Sequence, residues 1–322
     1  MLMKQKTTQK DVCYTMRCHK ERWGGRLFFF ATVMPVALVL IIFVALLLRT
    51  RPILEAKSIS ELLLGQVWLP FQGEFGFFPF IMGTLWVTAV ALILAVPLCL
   101  LSAIYLSEYS RPSTVALMKP VLDLLAGIPS VVYGVWGMLA VVPAVQKFIA
   151  PLLGKWLGSI SLFSSDNPTG FSILSGGIVL AVMVAPVIIS VAYEVMRTVP
   201  FGMREASLAV GATQWQTIRY VVMPQAMPGI VAAVVLGLSR AMGETMAVLM
   251  VVGNVANKLP RSIFDPAYPL PALIANNYGE MMSIPLYDAA LMGAALVLML
   301  VVVIFNVISA LILRQILRRS GQ

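Results

Sequence analysis

Six apolar stretches constrain this chain more than any other feature: Phe28 to Leu48, Phe80 to Leu106, Val121 to Val142, Ile173 to Met196, Ile230 to Val252 and Ala289 to Leu313. Each reaches the roughly 20 residues that a helix needs to cross a hydrocarbon core. Backbone N–H and C=O groups find no water there, so helices are expected and open strands are excluded. The composition agrees: 60% of the 322 residues are hydrophobic and 11% are charged, too little polar surface to cover a soluble globule. The expected class is an all-α integral membrane protein with six transmembrane helices.

An even number of spans puts both termini on one side. That side receives Lys4, Lys6, Lys10, Arg17, Lys20, Arg22, Arg26, Arg111, Lys119, Arg197, Arg204, Arg219, Arg314, Arg318 and Arg319. The opposite loops carry only Arg49, Arg51, Lys57, Lys147, Lys155, Lys258 and Arg261, about half as many, so both termini are assigned to the cytoplasm of a multi-pass cell-membrane protein. The net charge of +9 is thus mainly an orientation signal. Nucleic-acid binding would need the basic residues gathered into one patch, and they are scattered among helix ends. The first apolar stretch exceeds a signal-peptide core and no A-x-A site follows, which makes it an uncleaved span.

Cys13, Cys18 and His19 supply three possible metal ligands without a fourth, so no metal is expected there. Cys99 falls within a span and suits a small core position. In the third span, Gly127-Ile128-Pro129-Ser130 and Gly134 allow close helix approach or a kink. The outer segment from Arg49 to Pro79 is expected against the membrane surface, and Lys147 to Leu157 as a short outer helix. Five prolines between Asn254 and Asp288 exclude regular helix throughout that loop, which is either a connector or a surface that meets a partner or closes a pathway.

The loop 197–228 differs in kind. A helical pattern from Met203 to Val210 stops at Gly211, the residue expected where a helix ends in a left-handed turn. A second stretch from Thr213 to Val222 is expected to end near Pro224. The result would be a rigid cytoplasmic hairpin; a loop lying flat on lipid headgroups is the alternative.

Glu205-Ala206-Ser207, Gly211 and then Val221-x-Met223-Pro224 resemble the EAA loop of ABC importer permeases. Ser207, Val221 and Met223 depart from that pattern conservatively, while Glu205, Ala206, Gly211 and Pro224 match it. The segment from Gly237 through Arg240, Gly243, Glu244, Thr245 and Val248, with Pro129 to Gly137 in the third span, is similar to phosphate permeases of the PstC type. The resemblance implies a type I ABC importer permease fold with an additional N-terminal helix. It divides the chain into a basic cytoplasmic arm (1–27), a first helix (28–48), a five-helix permease core (80–314) holding the coupling loop, and a tail (315–322). It also implies a heterodimer with a PstA-like permease, a PstB-like ATPase dimer docked on Glu205, Ala206, Ser207, Gly211 and Pro224, and a PstS-like external phosphate-binding protein. ATP and Mg would be bound by the ATPase, with no cofactor in this chain, which lacks a G-x-x-x-x-G-K-[ST] phosphate loop.

Within the fifth span, Arg240 is expected about 15 Å deep, near the midplane, with Glu244 one helical turn away and able to pair with it. Arg suits bidentate oxyanion binding, so Arg240, Glu244 and Thr245 are the candidate pathway residues; a structural pair fixing helix packing is the alternative. Met242, Met246 and Met250 form a stripe that would suit Cu(I), which Arg240 would repel. The expected function is the permease subunit of an ATP-driven phosphate importer, without enzymatic activity of its own. Molybdate, tungstate or sulfate as cargo, or a membrane phosphate-sensing scaffold, are the alternatives.

Overall fold

The computed structural model describes the backbone of residues 2–158, 160–164, 167–279 and 284–319. The first helix, α1 (Leu2–Ala56), is continuous from the basic arm through the first span, and the short α2 (Ile59–Leu64) follows. The side chains of Cys13, Cys18 and His19 lie outside the described residues. A two-residue antiparallel pair, β1 (Trp68–Leu69) and β2 (Glu74–Phe75), then interrupts an otherwise helical chain. Its Trp68 ring meets Phe75, Phe77, Phe80 and Tyr287 at centroid distances of 5.3–6.0 Å, so the segment after α1 is an aromatic plug.

The second span is α3 (Phe78–Ile104), extended by a π-helical turn over Tyr105–Tyr109. Next come α4 (Pro112–Gly127) and α5 (Ser130–Trp136). From α5 the helix continues through α6 (Val142–Ala144) and α7 (Ala150–Leu157), joined by π-helical turns. The fourth span is α8 (Ile173–Thr198), followed by α9 (Phe201–Ala209). The fifth begins as α10 (Gln214–Thr217) and runs through a π-helical turn over Ile218–Val222 into α11 (Met223–Met242). Finally come α12 (Met246–Leu249), α13 (Leu270–Asn277) and α14 (Tyr287–Arg319). Among the described residues, six helical segments are long and apolar enough to cross a membrane: Trp23–Ala56, Phe78–Tyr109, Ser130–Trp156, Ile173–Thr198, Gln214–Met242 and Tyr287–Gln315.

Two spans differ from the hydropathy expectation. The stretch Val121 to Val142 is broken, because α4 ends at Gly127 and Ile128 and Pro129 are extended, with ψ of 130° and 138°. Pro129 lacks an N–H and its ring disfavours helical geometry at Ile128, so the crossing helix restarts at Ser130. The fifth span is displaced toward the N-terminus. Its helix runs unbroken past Pro224, whose missing N–H falls just after the π-helical turn, and stops at Met242 instead of Val252.

The core lies where α3, α8 and the short helices α5 and α12 meet. Cys99 is buried there, its thiol directed at the Ala185 carbonyl. The prolines between 254 and 288 do not make a bare connector: Phe264, Ala267, Leu270 and Leu273 are buried. In that segment the carbonyls of Asp265 and Ile263 accept the N–H groups of Ile173 and Leu174 at 3.0 and 2.8 Å, which closes the N-terminal end of α8. The outlying α1 packs against α14, with Arg49 and Asp288 3.6 Å apart.

Close approach of α5 and α12 depends on Gly134, where a Cβ would come within 2.7 Å of Met250 Sδ and 3.2 Å of Ala247 Cα. Gly134→Val is therefore expected to destabilise the bundle by about 1–3 kcal/mol through overpacking. At Gly127 an added Cβ meets nothing within 4 Å. Thermal melting in detergent should show Gly134→Val well below the parent and Gly127→Ala close to it.

Candidate functional site

Between the fourth and fifth spans, α9 stands apart from the bundle. It has no buried residue, and Phe201, Glu205, Ala206, Leu208 and Val210 are exposed. Only Arg204 and Ser207, three residues apart on one face, are partly covered, and both are hydrogen-bonded to the bundle. The guanidinium of Arg204 grips Glu108 in the π-helical turn after α3, with Nη2 to Oε1 at 3.0 Å and Nε to Oε2 at 3.2 Å. It also donates to the carbonyls of Met196 and Val199 at the C-terminal end of α8, the first of which accepts the Val199 N–H as well. The two side chains are only 14% and 8% exposed. Charge-assisted bidentate pairing of this kind fixes direction as well as distance. Gln214 Nε2 donates to the Glu108 carbonyl at 2.6 Å, and Ser207 Oγ lies 2.9 Å from Thr217 Oγ1.

The turn after α9 is a Schellman motif. Gly211 has φ of +89°, its N–H donates to Leu208 O, and the Ala212 N–H donates to Ser207 O. Thr213 and Gln216 then form a reciprocal capping box that starts the fifth span. The expected second hairpin helix is thus the beginning of that span. Pro224 lies exposed within it and ends nothing, because the π-helical turn before it absorbs the missing donor.

At the far end of the same span, Arg240 occupies the last turn of α11 and is half-buried. The expected turn-to-turn pairing with Glu244 does not form. The helix stops at Met242, which throws Glu244 off the Arg240 face; Glu244 instead faces the Ala247 N–H at 3.4 Å. Thr245 Oγ1 turns back to the Gly243 carbonyl at 3.3 Å. Arg240 reaches across to α4, where Nη2 lies 3.4 Å from the Ala126 carbonyl, and Tyr133 Oη donates to Leu125 O at 2.8 Å. Two interrupted helices therefore face each other, with a cation and a phenol on the last carbonyls of one of them. The methionine stripe is interrupted too: Met242 ends α11, and Met246 opens α12.

Sequence reasoning located Glu205, Ala206, Ser207 and Gly211 on α9 and its turn, and missed the anchors Arg204, Glu108 and Gln214. Thr213-x-x-Gln216 carried a readable capping-box signature. Glu108, a lone carboxylate at the end of a long apolar run, was the other available signal.

Six spans with an exposed helix anchored by polar contacts between the fourth and fifth define the membrane-spanning subunit of a transporter. The family described as "Binding-protein-dependent transport system inner membrane component" matches residues 95–321. The chain belongs to that family. It is 37% identical over 258 residues to the phosphate transport system permease protein PstC of Pasteurella multocida (strain Pm70), covering 79% of this chain and 80% of that protein. To PstC of Haemophilus influenzae (strain ATCC 51907 / DSM 11121 / KW20 / Rd) it is 35% identical over 314 residues, covering 94% and 97%. Among solved structures, a chain of the bacterial alginate ABC transporter in complex with its alginate pentasaccharide-bound periplasmic protein matches with a TM-score of 0.56 and 16% identity, over 90% of this chain and 94% of that one. The shared fold is that of ABC importer permeases.

The Gly211 turn is the local feature most exposed to a single change. An added Cβ meets nothing there, so Gly211→Ala isolates the left-handed backbone cost, about 1–2 kcal/mol. The variant is expected to loosen the α9 turn, and Gly211→Asn to be milder. Amide hydrogen exchange across residues 205–217 should rank the parent, Asn and Ala variants in that order of protection.

Proposed function

We propose that this chain is one of two permeases forming the translocation pathway of an ATP-driven phosphate importer. The carrying observation is that relatives 35–37% identical, across 79–94% of this chain, are phosphate transport system permeases. A PstA-like permease completes the pathway. A PstB-like ATPase dimer, which binds ATP and Mg, docks on the exposed face of α9 around Glu205 and Ala206. A PstS-like binding protein delivers phosphate on the opposite side, and the charge asymmetry of the loops puts α9 and both termini in the cytoplasm.

Arg240, Glu244 and Thr245 are the pathway residues in this reading. The long contact to Ala126 engages one of the five N–H donors a guanidinium carries, so an arriving oxyanion competes with a weak protein partner. Arg240 lies in the last turn of the span Gln214–Met242 rather than at its middle, and broken helices are where transporters commonly place substrate groups. Glu244, unpaired with Arg240, limits how long a second negative charge stays.

Reconstitution with the partner permease, ATPase and binding protein should give ATP-dependent uptake of radiolabelled phosphate, unaffected by excess sulfate, molybdate or tungstate. Preferential uptake of one of those anions would overturn the cargo assignment. Arg240→Gln is expected to assemble normally and lose about tenfold or more of uptake, with Arg240→Lys intermediate. Loss of the assembled complex in both variants would assign Arg240 to packing.

A further inference from the structure

We propose that the Arg204–Glu108 pair is the mechanical link through which displacement of α9 reaches the second and fourth spans. The inference rests on the importer function above and goes beyond it to the transmission of force. A helix without buried residues cannot drag the bundle by hydrophobic packing, so its polar anchors must carry the load. Arg204 precedes Glu205 in α9 and joins three separate elements. It binds both carboxylate oxygens of Glu108 after α3, the carbonyls of Met196 and Val199 at the end of α8, and its own helix. The bond from Gln214 to the Glu108 carbonyl brings the start of the fifth span to the same point. A push on α9 is therefore delivered to the inner ends of three spans through one ion pair. The pair is shielded, which keeps it stiff where an exposed pair would exchange with water.

The test uses the full reconstituted complex with Cys13→Ser, Cys18→Ser and Cys99→Ala, and spin labels on Val210→Cys after α9 and Arg111→Cys after the second span. In the parent the label separation stays the same with and without ATP, because α9 and the span end move together. Glu108→Gln is expected to keep the ATPase bound and hydrolysing. ATP should then split the separation into two populations, and phosphate moved per ATP should fall about tenfold. Glu108→Asp, which keeps the charge, should recover much of that ratio. If Glu108→Gln does not assemble, Arg204→Lys, which retains the charge but not the fork, is expected to give the same changes to a smaller degree.

The link is overturned by an ATP-dependent change of separation in the parent, by a phosphate-to-ATP ratio in Glu108→Gln within about twofold of the parent, or by loss of the complex in both Glu108→Gln and Arg204→Lys. A parent complex that shows the distance behaviour but moves no phosphate overturns the cargo assignment alone.

Discussion

Within lipid, a backbone carbonyl that loses its helical partner must find another donor in the protein. That constraint organises the centre of this molecule. Pro129 ends α4, so the Leu125 carbonyl keeps only the Ile128 N–H at 3.3 Å and the Ala126 carbonyl is left to a donor from elsewhere. Tyr133, on the first turn of the restarted helix, takes one, and Arg240 from the fifth span takes the other. A charge in such a place looks anomalous on a hydropathy plot. Here it answers a deficit of donors, and because its contact is long it remains able to exchange that carbonyl for a better acceptor.

The opposite solution holds α9. Outside the bundle, hydrophobic burial is absent and direction comes from a shielded ion pair and helix-end carbonyls. Removing one partner of such a pair leaves the other buried and uncompensated, a loss on the order of 3–5 kcal/mol. The remaining face is thereby left uncovered: Glu205, Ala206 and Leu208 are exposed. Separation of anchoring face from exposed face on a helix of nine residues explains why so short an element can be held in place and still offer a surface.

What was legible in the sequence follows the same physics. Hydropathy revealed six spans because lipid demands long apolar helices, yet it missed both breaks. Gly127-Ile128-Pro129 and Gly243-Glu244-Thr245 sit inside apolar surroundings, and average hydropathy is blind to a lost hydrogen bond. Gly211 was readable because a left-handed turn leaves few alternatives. The Arg204–Glu108 pair was not, since its members are 96 positions apart and nothing local requires them to meet. For Arg240 and Glu244, spacing alone suggested a pair that the end of α11 prevents; residues four apart face each other only while the helix continues.

The fifth span connects these two regions. From Gln214, beside the Arg204 anchor, to Met242, two residues past Arg240, it is one helical segment of 29 residues. At 1.5 Å per residue it is about 43 Å long, comparable to a whole bilayer. Its irregularities are the π-helical turn over Ile218–Val222, close to the end that carries Gln214, and Pro228 at its middle. Beyond that turn the segment stays helical as far as Met242, and its last turn carries a guanidinium weakly held to a broken neighbour. Of the contacts at its two ends, that from Arg240 to Ala126 is the longer, 3.4 Å against 2.6 Å for Gln214 to Glu108, and so the more easily changed.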